Sequence, residues 1–273
     1  MQLPGCRDAQ LYAQAWLPDH DPGVVIVISH GLAEHGGRYA AFAERLVARG
    51  YGVYALDHRG HGRSSGSRAN IERFAYLVSD LATFVGRTQR QHPDATLFLL
   101  GHSMGGAIAL AAALRDPVTL KGLVLSAPAL AAGKAVPPLK ALAVRLLSRF
   151  APGTGALTLP ATAISRDPAV VRAYESDPLV FRGAIPARTL VELLGAMAGF
   201  ADAAPKLRLP VLVQHGTADR LVPVAAARPV YERLRNSKLR TVRLYEGLFH
   251  EAYNEPEREQ VLADLEAWIH ARH

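Results

Sequence analysis

One short turn restricts this chain more than any other feature. Gly101-His102-Ser103-Met104-Gly105 follows the apolar run Leu97-Phe98-Leu99-Leu100 and opens the small-residue stretch Gly106-Ala107-Ile108-Ala109-Leu110-Ala111. That order predicts a buried strand, a tight turn and a helix, with a serine at the apex. The flanking glycines leave room for a turn so sharp that larger side chains would strike the strand or the helix, and the serine backbone is held strained. Such a turn lifts the hydroxyl out of the sheet to a helix N-terminus, where backbone N–H groups stabilise developing negative charge. The pentapeptide alone is only moderate evidence; the strand before it and the helix after it give it weight.

The rest of the chain supplies a sheet to carry that turn. Alternation over Gln10–Trp16 predicts a half-exposed strand, and the unbroken β-branched run Val24–Ile28 predicts one covered on both faces. Gly52–Leu56, Leu97–Leu100, Gly122–Leu125, Val211–Val213 and Thr241–Tyr245 read as further strands. Helical spacing marks Arg38–Arg49 with Gly50 as its stop, Ile71–Gln91 ended by Pro93, a helix from Ser103, and Pro256–Arg272. Strands alternating with helices imply a mostly parallel sheet wrapped on both faces. The rhythm breaks over 129–205, where Pro137-Pro138, Pro152-Gly153, Pro160, Pro168, Pro178 and Pro186 recur and no buried strand is evident. Two apolar stripes at helical spacing stand out there. One is Leu139, Leu142, Ala143, Leu146, Leu147 and Phe150; the other is Leu190, Leu193, Leu194, Met197 and Phe200. This segment is expected to be a helical cap over the sheet, inserted between core segments 1–128 and 206–273. The first stripe motivates the expectation that this cap holds an acyl chain and meets a lipid surface; the competing reading is that the stripe packs as ordinary core against the sheet.

Composition narrows the function. The 273 residues carry a net charge of +7, but the charges are scattered, with no basic run interleaved with aromatics. Nucleic-acid binding is therefore a poor reading, and a solvated basic surface is preferred over attraction to anionic lipid. Cys6 is the single cysteine, which excludes an internal disulfide and a cysteine metal site. The first residues lack the basic and apolar regions of a signal peptide, and no apolar stretch approaches the ~18 residues that span a bilayer. The chain as written reads as cytoplasmic.

A serine hydroxyl is a poor nucleophile until an imidazole takes its proton, and the imidazole needs a carboxylate to set its tautomer. On such a sheet the chain order is serine, acid, histidine. His250, in Tyr245-Glu246-Gly247-Leu248-Phe249-His250, follows the last strand, whereas His270 and His273 fall on the terminal helix. Asp219, in Gln214-His215-Gly216-Thr217-Ala218-Asp219, follows the preceding strand. The competing readings are a core histidine bonded to backbone and a turn-capping aspartate. Both residues falling in the right loops, in the right order, behind a nucleophile turn favours a Ser103–His250–Asp219 triad. The oxyanion would take its N–H donors from Met104 and from Leu32, in the His30-Gly31-Leu32 turn that Gly31 permits. His30-Gly31-Leu32-Ala33-Glu34-His35 misses H-x-x-E-H spacing by one residue, and its glycines argue against a metal-binding helix. His58 and His61 read as loop scaffolding; His102 and His215 read as packing or hydrogen-bonding at the upper sheet edge rather than acting chemically. No metal and no cofactor are expected.

These motifs resemble the α/β-hydrolase fold and, more narrowly, bacterial monoacylglycerol lipases. The resemblance rests on His30–His35 with Arg38-Tyr39, on Asp57-His58-Arg59-Gly60-His61-Gly62-Arg63-Ser64, on Gly101–Gly106, on His215–Leu221 and on Tyr245–Glu251. It extends into the insertion at Ser165-Arg166-Asp167-Pro168 and Tyr174-Glu175-Ser176-Asp177-Pro178-Leu179. It implies an eight-stranded, mostly parallel sheet flanked by helices, and a helical cap over an apolar tunnel. It also implies the triad and oxyanion donors named above, and a polar end for glycerol that carries over to Glu34, Arg38 and Tyr174. Glu34 and Arg38, four apart, could instead form a local salt bridge that shapes the loop. Some members place a second histidine three residues beyond the catalytic one; here Tyr253 occupies that position. The expected activity is carboxylic ester hydrolysis of monoacylglycerol to fatty acid and glycerol through an acyl-enzyme. The expected partners are a lipid substrate and, through the cap, transient contact with a membrane or micelle. A broader carboxylesterase or lysophospholipase, and a ligand receptor on the same fold, are the alternatives. A dehalogenase or epoxide hydrolase would need aspartate where Ser103 stands.

Overall fold

The computed structural model describes residues 1–115, 120–132, 138–234 and 240–273. In chain order the elements are β1 (Gln2–Pro4), β2 (Gln10–Trp16), β3 (Val24–Ser29), α1 (Ala40–Val47), β4 (Gly52–Leu56), α2 (Phe74–Gln91), β5 (Thr96–His102), α3 (Met104–Arg115) and β6 (Gly122–Ser126). Then follow α4 (Pro138–Phe150), β7 (Gly155–Leu157), α5 (Pro168–Ser176), β8 (Ile185–Pro186), α6 (Ala187–Ala203), β9 (Val211–Gly216), α7 (Val224–Arg233), β10 (Thr241–Tyr245) and α8 (Arg258–His270).

Eight strands form one sheet in the order β1-β2-β4-β3-β5-β6-β9-β10. The pairs from β4 to β10 are parallel, and β1 and β2 pair antiparallel at one edge. This is the α/β-hydrolase architecture. Side-chain alternation sorts the apolar residues onto two faces. Val25, Val27, Leu97 and Leu99 join one core cluster with Leu77, Leu81 and Phe84 of α2 and Ile108 of α3. Their neighbours Val24, Ile26, Ile28, Phe98 and Leu100 join a second cluster with Phe42 and Leu46 of α1 and Val261, Leu265 and Trp268 of α8. A strand covered on both faces reads as an unbroken apolar run, which is why β3 shows no alternation in sequence.

Between β6 and β9 the chain leaves the sheet and builds α4, α5, α6 and the short antiparallel pair β7–β8. That pair was not evident from the sequence, because strands of two or three residues carry no readable period. Several contacts bind this segment to the core. His35 Nε2 lies 2.8 Å from Asp177 Oδ2, Phe181 N donates to Ala33 O at 2.8 Å, and Thr189 Oγ1 donates to Ala69 O at 2.6 Å.

The two apolar stripes have different fates. Leu193 and Phe200 of α6 are buried, and Leu190, Leu193, Leu194 and Met197 line the large cavity described below. The α4 stripe points outward: Leu142 is 54% and Phe150 77% exposed, with Leu146 and Leu147 also exposed. Ala141, Val144 and Arg145, from the other side of α4, line the cavity instead. The competing reading, that the α4 stripe packs as core, is corrected: the stripe faces outward, and the cap lines the cavity through the other side of α4 and through α6. Pro137 and the side chain of Leu139 lie outside the described residues.

Candidate active site

Ser103 sits at the apex between β5 and α3 with φ +53°, in the left-handed region that non-glycine residues avoid. The surrounding glycines are there for space. A Cβ on Gly105 would land on the carbonyl oxygens of Ser29 and His30, and one on Gly101 would strike Gly105 and Ala109. Ser103 itself is tied to the next strand by Ser103 N donating to Ser126 O at 3.0 Å.

His250 follows β10 and Asp219 follows β9, so parallel pairing of these strands carries both loops to the same edge of the sheet. His250 Nδ1 donates to Asp219 Oδ2 at 2.7 Å. The aspartate is held on every side. His215 Nε2 donates to the same oxygen at 3.0 Å, and Leu221 N and Val222 N donate to Oδ1 at 2.8 and 2.9 Å. Burial favours its neutral form, but the bonds from His215 and His250 hold its carboxyl well below the usual carboxylate range. With Asp219 ionised, His250 keeps its proton on Nδ1 and leaves Nε2 as the basic nitrogen. His102 packs its ring 4.7 Å from that of His250, and its pKa is pushed down to about 4 by burial and by His250.

Ser103 and His250 line one cavity of about 710 Å³, together with Leu32, Met104, Glu34, Arg38, Tyr174 and Glu251. Among the described residues, neither Leu32 N nor Met104 N has an acceptor, which leaves both free for an oxyanion. The left-handed residue of this turn is Ala33, with φ +69°, and the role of Gly31 is one of space. Gly31 is needed because a Cβ there would meet Glu34 Oε1 at 2.9 Å and Ser103 Cβ at 3.3 Å.

The polar end of the cavity is built around Arg38. NH1 donates to Glu34 Oε2 at 2.5 Å, and NH1 and NH2 donate to Glu251 at 2.7 and 2.8 Å. The guanidinium also lies over the Tyr174 ring, 4.8 Å from its centroid. Glu34 Oε1 accepts from Gly31 N at 2.6 Å and from Tyr39 at 2.9 Å, so the loop-shaping contact is present and its members also face the cavity. Sequence reasoning missed Glu251, although it follows His250 directly. Nothing in the chain order says that this glutamate meets an arginine 213 positions away. Tyr253 does not reach the large cavity. Its hydroxyl donates to Gln214, and it borders only a small space beneath Glu34 and Arg38.

The family described as "Serine aminopeptidase, S33" (Hydrolase_4) matches residues 20–257. The chain belongs to this family. A monoacylglycerol lipase of Mycolicibacterium smegmatis is 42% identical over 265 residues, covering 97% of this chain and 94% of that protein. Mouse monoglyceride lipase is 37% identical over 265 residues, covering 96% and 87% respectively. Among solved structures, the Paleococcus ferrophilus monoacylglycerol lipase superposes with a TM-score of 0.84 at 30% identity, covering 96% of this chain and 99% of that one. The family label names a peptidase, whereas these near full-length relatives are lipases.

Proposed function

We propose that this hydrolase cleaves monoacylglycerol to fatty acid and glycerol, with Ser103 as nucleophile, His250 as general base and acid, and Asp219 as the group that orients it. One observation carries the reading. A strained Ser103 and a His250 bound to Asp219 at 2.7 Å open on one cavity that is apolar along α4 and α6, apart from Arg145, and polar at Arg38. Ser103 Oγ attacks the ester carbonyl carbon and gives its proton to His250 Nε2. The carbonyl oxygen becomes an oxyanion between Leu32 N–H and Met104 N–H, at the positive end of α3. The tetrahedral species collapses, the C–O bond to glycerol breaks, and His250 returns the proton to the departing oxygen. Water then attacks the acyl-serine, loses a proton to His250 and releases the fatty acid and Ser103.

The substrate assignment draws on the lipase relatives and on the cavity. Its apolar wall suits one acyl chain, and Glu34, Arg38 and Tyr174 suit glycerol hydroxyls at the other end. Residues 129–205 act in this reading as the cap. A lipid surface is the partner that best suits exposed Leu142, Leu146, Leu147 and Phe150, flanked by Arg145 and Arg149. Among the described residues no helix is long and apolar enough to cross a membrane, so such contact would be peripheral.

Ser103→Ala tests the chemistry. It should lower turnover of every ester by ~10⁴-fold or more while leaving the thermal melt intact. A folded variant that keeps a tenth of the wild-type rate would end the triad assignment. A panel of monoacyl-, diacyl- and triacylglycerols, lysophospholipids and an aminoacyl p-nitroanilide tests the substrate. Faster cleavage of lysophospholipid or anilide than of monoacylglycerol would overturn it.

A further inference from the structure

Arg38 lies between two carboxylates that are both almost fully buried, and all three groups face the Ser103 cavity. Two carboxylates against one guanidinium leave one negative charge uncompensated. The charges hold: burial raises the pKa of Glu34, but Arg38, His102, His30 and the Gly31 N–H bring it down to about 2. Glu251 is likewise lowered against burial, chiefly by Arg38. The groups around them do not cancel this excess. His102, pushed down to about 4, is neutral at pH 7, and so is Tyr174, pushed up to about 12 by burial. Asp177 adds a further carboxylate, paired with His35, and Asp219 stands behind His250. Two further cations are exposed: Arg145 lines the cavity from α4, and Arg182 donates to the Asp177 carbonyl oxygen at 2.6 Å.

We infer that the Glu34–Arg38–Glu251 cluster selects the head group by charge, taking an uncharged polyol and excluding a phosphate ester. The inference rests on the monoacylglycerol reading above and adds a specificity role for Glu251. A lone arginine facing the cavity would attract phosphate through paired N–H groups. Here three of those N–H groups already point at carboxylates. Hydroxyls of glycerol can donate to the remaining carboxylate lone pairs. A phosphate dianion can donate nothing and meets repulsion. At ~6 Å and an effective dielectric constant of ~20, each unit of phosphate charge shifts the equilibrium by ~100-fold.

The test is a competition at one surface. Neutral detergent micelles carry equal amounts of 1-lauroylglycerol and 1-lauroylglycerol 3-phosphate, and the released glycerol and glycerol 3-phosphate are measured. Wild-type enzyme should release glycerol at least ~100-fold faster. Glu251→Gln keeps the side-chain shape, removes the one uncompensated charge and should narrow that ratio by ~100-fold, bringing it towards one. A ratio near one in the wild type, or an unchanged ratio in a folded Glu251→Gln protein, would overturn the inference. Lauroylcholine separates charge from size without any variant. Cleavage within tenfold of 1-lauroylglycerol supports selection by charge, and exclusion as strong as that of the phosphate ester refutes it. If the enzyme cleaves p-nitrophenyl laurate but not 1-lauroylglycerol, the monoacylglycerol reading itself fails.

Discussion

Asp219→Asn separates the proposed mechanism from mere residence of these residues in one pocket. Asp219 Oδ1 accepts from Leu221 N and Val222 N, so the asparagine oxygen will stay on that side and the loop should keep its shape. The amide NH₂ then replaces Oδ2, where His250 Nδ1 and His215 Nε2 now donate. The change removes a charge-assisted hydrogen bond worth ~1.5–3 kcal/mol and leaves opposed buried donors at ~1–3 kcal/mol each. His250 can relieve the clash only by moving its proton to Nε2, the nitrogen that has to accept from Ser103. Either way, about 5 kcal/mol is lost from the transition state, which lowers kcat by ~10³- to 10⁴-fold. Initial rates on p-nitrophenyl butyrate measure it, with circular dichroism melts to check folding. A folded Asp219→Asn protein with more than a tenth of wild-type kcat would refute the argument that this carboxylate sets the tautomer.

Two further outcomes follow from burial. Acid should destabilise the fold from about pH 6.5 downward. His102 and His61 titrate near 4 and 3 in the native state against an ordinary 6.5, so the unfolded chain binds more protons across that window and stability falls with pH. Glu34, native near 2 against 4.5, continues the loss below pH 4.5. Thermal melts at pH 7.5, 6.5, 5.5 and 4.5 measure this, and a Tm constant down to pH 5 would contradict it. On α4, Leu142→Ser and Leu146→Ser should each change stability by no more than ~0.5 kcal/mol, because both side chains are exposed. Both should weaken co-sedimentation with lipid vesicles; unchanged co-sedimentation would remove the lipid-surface role.

The strained serine turn was legible because it is local. Its strand, its glycines and the start of its helix occupy the fifteen consecutive residues 97–111 and constrain one another sterically. The same holds for β3, β4 and β6, whose apolar runs can exist only with both faces covered. His250 and Asp219 could be found because strand order turns chain order into spatial order: each stands just beyond the end of a strand in one parallel pair. Where local rules compete, the reading weakened. α7 carries Pro229 inside the helix, and β1 spans three residues, so neither shows a usable period.

What only the tertiary structure decided is which way things face and which distant groups meet. The α4 period declares an amphipathic helix, but a period carries no information about which side meets the sheet, and here the apolar side is outermost. Glu34 and Arg38 sit four residues apart and predict a salt bridge by themselves. Glu251, which makes that end of the cavity acidic, arrives from a loop 213 residues away. Hydrophobic pattern and turn chemistry are properties of neighbours along the chain, so the sequence determined the layered sheet and its serine turn. Charge balance inside a cavity depends on side chains from unrelated loops at 2.5–2.8 Å, and only the folded packing brings them there.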